Sequence, residues 1–182
     1  MTFYVHADNV TYIDKPDSFG YGALTNRIKK SRPVTMDIAA LCNHVRQGKT
    51  FVSGAYSNPF KEESFLSMQL GVLDFDNQDS RKNRLQPGQE GYIDPLDMLD
   101  RCVRLGIWPA CIYFTLSSDI NWLRFRAVFD FKKPIMDYRE ARKTMAKLMK
   151  KFPECDSQCK NPNRLFLGSN GEVWETWQVE QW

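Results

Sequence analysis

Two aspartates separated by a single residue, Asp74 and Asp76, stand at the end of the apolar run Gly71-Val72-Leu73-Asp74-Phe75-Asp76-Asn77. Side chains alternate between faces along a β-strand. Both carboxylates are therefore expected to project one way, while Leu73 and Phe75 project into packing. Carboxylates roughly 7 Å apart on one strand face repel each other. Such a pair implies a cation between them or a raised pKa on one member; the plainer alternative is a solvated strand end. A second run, Leu123 to Phe131, places Leu123, Phe125, Ala127, Phe129 and Phe131 on one face and Arg124, Arg126 and Val128 on the other. Its two arginines aim at a partner, or they form the wet face of an antiparallel sheet.

The elements that must position these residues follow from periodicity and capping. Phe3-Tyr4-Val5 and Val10 to Ile13 read as edge strands or a hairpin, and Asp17 to Tyr21 as a turn. Arg27, Lys29, Lys30 and Arg32 form a basic cluster before Pro33, a solvated loop or a phosphate contact. Thr35 is expected to cap a helix with Ile38, Leu41 and Val45 on one side and Gly48 at its end. Tyr56 to Phe65, with Pro59 and Lys61, reads as a loop feeding a strand from Met68 to Asp76. Residues 77–93 form a polar excursion carrying Arg81, Lys82 and Arg84. Asp94-Pro95 starts a helix that buries Leu96, Leu99, Cys102 and Val103 and ends at Gly106.

Ala110 to Leu116 is a short apolar strand, and Ser117-Ser118-Asp119 turns the chain into the Arg126 strand. Asp137 to Phe152 is the clearest helix: Asp137 and Glu140 have capping-box spacing, and Ala141, Met145, Leu148 and Phe152 line one side. Its other side carries Arg139, Arg142, Lys143, Lys147, Lys150 and Lys151, a solubilising face that also suits a nucleic-acid backbone. Asn170-Gly171 is expected to turn a hairpin between Leu165-Phe166-Leu167 and Val173-Trp174. The fold class expected is α+β with a largely antiparallel or mixed sheet.

Composition narrows the classes. The 182 residues suffice for one domain with a full core, and the aromatic tail Trp177 to Trp182 suggests one domain of a longer chain. A net charge of +3 neither demands nor excludes nucleic acid. No apolar run reaches membrane-spanning length, so no membrane partner is expected. Five cysteines without a signal-peptide pattern suggest reduced thiols and a cytoplasmic location. Cys155 and Cys159, without a second pair or a nearby histidine, read as ordinary thiols.

Four pieces in order carry a resemblance: Leu73-Asp74-Phe75-Asp76-Asn77, Tyr113-Phe114-Thr115-Leu116-Ser117-Ser118, Leu123 to Phe129, and Asp156 with Asn163-Arg164-Leu165-Phe166. Together, over residues 35–170, they resemble the archaeo-eukaryotic primase superfamily, in particular the primase-polymerase domains of phage and plasmid replication proteins. The resemblance implies an RRM-like catalytic sheet with a packed α/β subdomain. It implies template-directed nucleotidyl transfer by a DNA primase or DNA polymerase, with Asp74, Asp76 and Asp156 holding two Mg²⁺ or Mn²⁺ ions. Asp156 matches the third acidic position of the family, and Arg126 and Arg164 match its basic residues. Ser117, Ser118, Arg126 and Arg164 would bind the nucleotide. Ser118 stands where the family usually has a phosphate-contacting histidine. A serine offers one hydrogen bond and no charge, so the charge must come from Arg124, Arg126 or Arg164.

The partners implied are a single-stranded DNA template, NTP or dNTP, and a replicative helicase or accessory domain, in a phage, plasmid or other mobile element. Arg81, Lys82, Arg84, Lys143 and Lys147 would contact DNA, with Tyr92 beside them. Replacing Asp74 or Asp76 by asparagine is expected to remove metal-dependent extension and leave the fold intact. Haloacid-dehalogenase phosphatases and sugar-nucleotide glycosyltransferases also use Asp-x-Asp. The first would need a Thr or Val where Asn77 and Gln78 stand, and the second leaves Arg126, Asp156 and Arg164 without a job. A rolling-circle initiator would need a histidine pair that His6 and His44 cannot form in sequence. The remaining alternative is a catalytically inactive primase-like domain that binds DNA or protein.

Overall fold

The computed structural model describes residues 1–58, 60–169 and 171–176. Pro59, Asn170 and the tail from Trp177 to Trp182 lie outside the described residues. Two antiparallel sheets share one interior. The first has the order β2-β1-β3-β8, from β1 (Phe3–Thr11), β2 (Val34–Met36), β3 (Lys49–Val52) and β8 (Leu165–Phe166). The second has the order β4-β5-β7-β6-β9, from β4 (Gly54–Tyr56), β5 (Phe65–Phe75), β6 (Cys111–Phe114), β7 (Phe125–Ile135) and β9 (Val173–Trp174). With helices α1 (Ser18–Lys30), α2 (Ile38–Arg46), α3 (Pro95–Leu105) and α4 (Tyr138–Lys151), this is the expected α+β class.

The long central strands explain why the run before Asp74 is continuously apolar rather than alternating. Leu73 and Phe75 of β5 pack with Phe125 and Ala127 of β7 against Met145 and Phe152 from the α4 region. Leu70 and Val72, on the other face, pack with Val128, Cys111 and Tyr113 against Phe3, Val5 and Phe51 of the first sheet. A strand covered on both faces has no polar side to show until it leaves the core. The parity expected for β7 holds, with Phe125, Ala127 and Phe129 on one side and Val128 on the other.

Capping places the helices around this sandwich. Asp137 accepts from the Glu140 N–H at the start of α4, and Ala141, Met145, Leu148 and Phe152 are buried along it, as expected. Asp94 caps α3 by accepting from the Leu96 and Asp97 N–H groups, and Gly106 ends it at φ 62°. The buried stripe of α3 differs from expectation. Cys102 is buried and Leu99 packs against the core as expected, but Pro95 and Met98 complete the stripe, while Leu96 and Val103 face solvent at 67% and 56% exposure. Hydrophobicity alone did not single out the correct one of two apolar stripes.

The N-terminal third departs furthest from the sequence expectations. Residues 3–11 form one strand rather than two pieces, because its buried polar residues are paired: Asp8 with Arg27 at 2.7 Å, and His6 with Ser31 and the Tyr56 N–H. Asp17 caps helix α1 instead of opening a turn; Leu24 and Ile28 anchor it against Val52 and Leu167 despite its two glycines. Thr35 lies in β2 opposite Tyr4, and Asp37 caps α2 in its place.

The expected hairpin at Asn170-Gly171 is also corrected. β8 pairs with β3 and β9 with β6, so the intervening chain passes from one sheet to the other. Gly168 makes that crossing possible: a Cβ there would lie 2.5 Å from the Gly48 carbonyl carbon and 2.6 Å from Lys49 backbone atoms. All five cysteines are free and buried. No helix among the described residues is long and apolar enough to cross a membrane.

Candidate metal centre

The end of β5 delivers the first two acids. Asp74 is its penultimate residue, paired across the ladder with Arg126 of β7, which in turn faces Tyr113 of β6. Asp76 follows one residue past the strand, before Asn77 turns the chain at φ 45°. The Asn77 side chain fixes this turn by donating to Ile93 O at 2.9 Å and Leu123 O at 2.8 Å and accepting from the Ile93 N–H at 3.0 Å. These bonds tie the strand end to the Ile93 and Leu123 segments.

The third acid arrives from the far side of α4. The chain leaves that helix at Phe152, and the Asp156 N–H donates to Asp74 O at 2.8 Å. The Asp156 carboxylate caps the short 3₁₀ turn Ser157–Lys160 by accepting from the Gln158 N–H. From that turn Cys159 Sγ accepts the Asp74 N–H at 3.2 Å. Asp74, Asp76 and Asp156 thus bring carboxylate oxygens within 4.8 Å of one another. Hard oxygen donors at that spacing suit a divalent cation, so the residues fit the kind of group that the resemblance implied.

Arginines neutralise the acids. Arg126 donates through Nε to Asp74 Oδ1 at 3.0 Å, and through Nη1 to Leu167 O at 2.6 Å. Arg164 bridges Asp74 and Asp156, with both contacts at 2.7 Å. Arg124 grips Asp76 with Nε at 2.8 Å and with Nη2. Asp74 is 2% exposed and Arg126 9%, so this pair is in the core, whereas Asp76 and Asp156 stand at the mouth. Burial raises the Asp156 pKa, but the Gln158 N–H and Arg164 outweigh it and hold the carboxyl below its ordinary value. Burial opposes the charge on Arg126, and Asp74 more than restores it, leaving the guanidinium fully protonated.

The expected nucleotide and DNA residues separate into groups. Arg126 and Arg164 join the acids directly. Ser118 acts on the turn: its hydroxyl accepts the Arg124 N–H at 3.0 Å, fixing the start of the strand that presents Arg124 to Asp76. Ser117 is half-buried in the same turn. Arg84 stacks on the Trp122 ring at 4.7 Å, and Arg124 lies over that ring at 4.6 Å. Arg81 and Lys82 are exposed at the tip of the same excursion, in a turn capped by Asp79. Lys143 and Lys147 lie on the outward side of α4, which covers the sheet face opposite to the one bearing Asp74 and Arg126. The structure does not bring them to the acids.

Three contributors carry more weight in the structure than in the sequence. By sequence Arg124 is one of three possible sources of charge; in the structure it holds Asp76. Trp122 donates from Nε1 to Asp76 O at 2.8 Å, tying the acid's backbone to the arginine platform. Cys159, by sequence an ordinary thiol, accepts the Asp74 N–H. For Trp122 a signal existed, a large aromatic two residues before Arg124; nothing local marks Cys159.

No protein-family model matches this chain, and no curated protein matches it. Among solved structures, the AEP domain of the cyanophage S-2L primase-polymerase (PrimPol) is similar to it, with 13% identity and a TM-score of 0.49, over 98% of this chain and 83% of that one.

Proposed function

We propose that residues 1–182 form a primase-polymerase catalytic domain of the archaeo-eukaryotic type, which adds nucleotides to a strand on a single-stranded DNA template. The observation that carries this reading is the meeting of Asp74, Asp76 and Asp156 within 4.8 Å at the mouth of the central sheet, ringed by Arg124, Arg126 and Arg164. Two divalent cations on these carboxylates would activate the attacking 3′-hydroxyl and neutralise the pyrophosphate leaving group.

The chain's own residues have distinct tasks. Asp76 and Asp156, at the mouth, are the acids a cation from solvent reaches first. Asp74 anchors the set from the core, its amide held by Cys159 and its carboxylate by two arginines. Arg164, half-buried, is the guanidinium best placed to leave a carboxylate for a triphosphate, because its planar fork matches phosphate oxygens. Arg126, bonded to Leu167 O as well, stays as structure. Arg124 would supply, beside Ser118, the positive charge that a histidine gives elsewhere in the family. The reading carries with it a cytoplasmic setting and a mobile-element replisome with a helicase or accessory domain.

Primer extension on a single-stranded template, with labelled NTP or dNTP and Mg²⁺ or Mn²⁺, tests it. Incorporation by the wild type and its loss in Asp76→Asn are expected. A second reading, a primase-like DNA-binding module without turnover, draws on the fact that every one of the three carboxylates is already paired with an arginine. Folded protein that binds template but incorporates nothing under any of these conditions would replace the first reading by the second.

A further inference from the structure

At the opposite end of the central sheet from the acids lies a groove of about 830 Å³ that the proposed chemistry does not use. Leu66, near the start of β5, stands on its wall, eight residues and therefore roughly 25 Å from Asp74. The groove runs between the first sheet, which contributes Tyr4, and the second, which contributes Tyr56, Leu66 and Pro134, with Met136 just past the end of β7. Lys30 and Arg32 close one side from the end of α1.

Its chemistry is one-sided. Among the described residues no aspartate or glutamate lines it. Asp137, next to Met136 in sequence, is spent capping α4. Lys30 and Arg32 have no ion pair among the described residues, whereas Arg27 one turn earlier is taken by Asp8 and Tyr12. Tyr4 exposes 57% of its surface, Leu66 43% and Met136 67%, an unusual concentration of apolar and aromatic surface beside two free cations.

The wall is also rigid. Ser31, between the two cations, donates to Ile28 O at 2.8 Å and accepts from His6 Nδ1 at 2.9 Å, while His6 Nε2 accepts the Tyr56 N–H at 3.1 Å. One buried imidazole therefore pins both the basic segment and the Tyr56 segment, so the two walls are held in a fixed relation.

We propose that this groove holds a short stretch of single-stranded nucleic acid, with a base stacked on Tyr4 and successive phosphates on Lys30 and Arg32. Charge complementarity selects this occupant: adjacent unpaired cations two residues apart suit a phosphodiester backbone, and an exposed aromatic ring suits any base. The volume accommodates two or three nucleotides and exceeds what a single free nucleotide fills. The proposal extends the polymerase reading, placing a grip on the strand well away from the acids.

Binding of a fluorescein-labelled twelve-residue oligothymidylate, followed by anisotropy in EDTA, tests it without engaging the acids through metal. Tyr4→Ala is expected to weaken binding about tenfold. Lys30→Ala with Arg32→Ala is expected to weaken it at least tenfold and to lower the log K against log salt slope by about 1.4. All three side chains face solvent, and circular dichroism confirms that the variants fold. Unchanged affinity and slope in both variants would overturn the groove. So would displacement of the oligonucleotide by an equal concentration of thymidine monophosphate, which would mark a pocket for a free nucleotide. Extension by wild type with unaffected groove variants removes this proposal alone; groove-dependent binding without extension removes the polymerase reading alone.

Discussion

Asp74→Asn separates the architectural from the chemical role of the acids. The residue is 2% exposed, and its carboxylate accepts hydrogen bonds from Arg126 and Arg164. Asparagine keeps one acceptor oxygen, removes the charge and turns an NH₂ toward a guanidinium. Removing one member of a buried ion pair costs about 3–5 kcal/mol, because the partner's charge is left in the core. Such a loss is a third or more of the stability of many domains. Asp76→Asn removes the partner of Arg124 where both side chains retain about one-sixth of their exposure, 15% and 16%, and water can replace the lost contact. Its cost should be about 1–2 kcal/mol.

Urea unfolding followed by tryptophan fluorescence measures both. With a slope of roughly 2 kcal/mol per molar, the midpoint should fall by about 1.5–2.5 M for Asp74→Asn and by less than about 1 M for Asp76→Asn. Arg126→Met, added to Asp74→Asn, should recover part of the loss, since an apolar pair replaces a lone buried cation. Equal midpoints for the two single variants would refute the reasoning. The sequence-based expectation that either substitution leaves the fold intact is thereby put to its hardest test at Asp74.

Further outcomes follow from other sites. Gly168→Ala should abolish stable folding or cost several kcal/mol, because its Cβ would meet the Lys49 backbone at 2.6 Å; thermal melts measure it. Gly71→Ala, whose Cβ would lie 2.6 Å from Phe131 Cζ, should cost about 1–3 kcal/mol, because that ring can shift. Burial lowers the pKa of both His6 and His44 from the ordinary 6.5, and His6 Nε2 must stay unprotonated to accept the Tyr56 N–H. The neutral rings are what the folded state binds. Their contribution is complete above about pH 6.5 and lost as pH falls below it, so urea midpoints at pH 5 should lie below those at pH 7.5. Arg124→Gln should preserve the fold and reduce primer extension at least tenfold, measured as kcat/KM for the nucleotide.

The site was more legible in the sequence than the surrounding fold. Asp74, Asp76 and Arg126 stand out as charged residues on apolar strands, whereas Asp156 and Arg164 enter only through the resemblance; all five meet in space. β1 was hidden because His6 and Asp8 break its apolar pattern, and only their distant partners Ser31, Tyr56 and Arg27 make them compatible with a core strand. The start of α1 was hidden by Gly20 and Gly22, whose cost is offset by tertiary packing of Leu24 and Ile28. No local rule could find the role of Cys159, whose importance lies in a backbone amide 85 residues away in sequence. The separation of β8 from β9 likewise depends on which sheet has a free edge, a property of the assembled molecule.

The matching of three carboxylates by three guanidiniums has an electrical consequence. Seen from a Debye length away, the cluster is nearly silent: its opposed charges form short dipoles whose fields cancel within several ångströms. Long-range steering of ions to the mouth is weak, so a cation reaches Asp76 and Asp156 by diffusion and not by attraction over distance. Recognition there must operate at contact distance, favouring a ligand that brings both signs of charge at once, as a metal-complexed triphosphate does. Arrival of such a ligand should depend little on ionic strength, whereas a strand held by lone cations should arrive more slowly as salt is added.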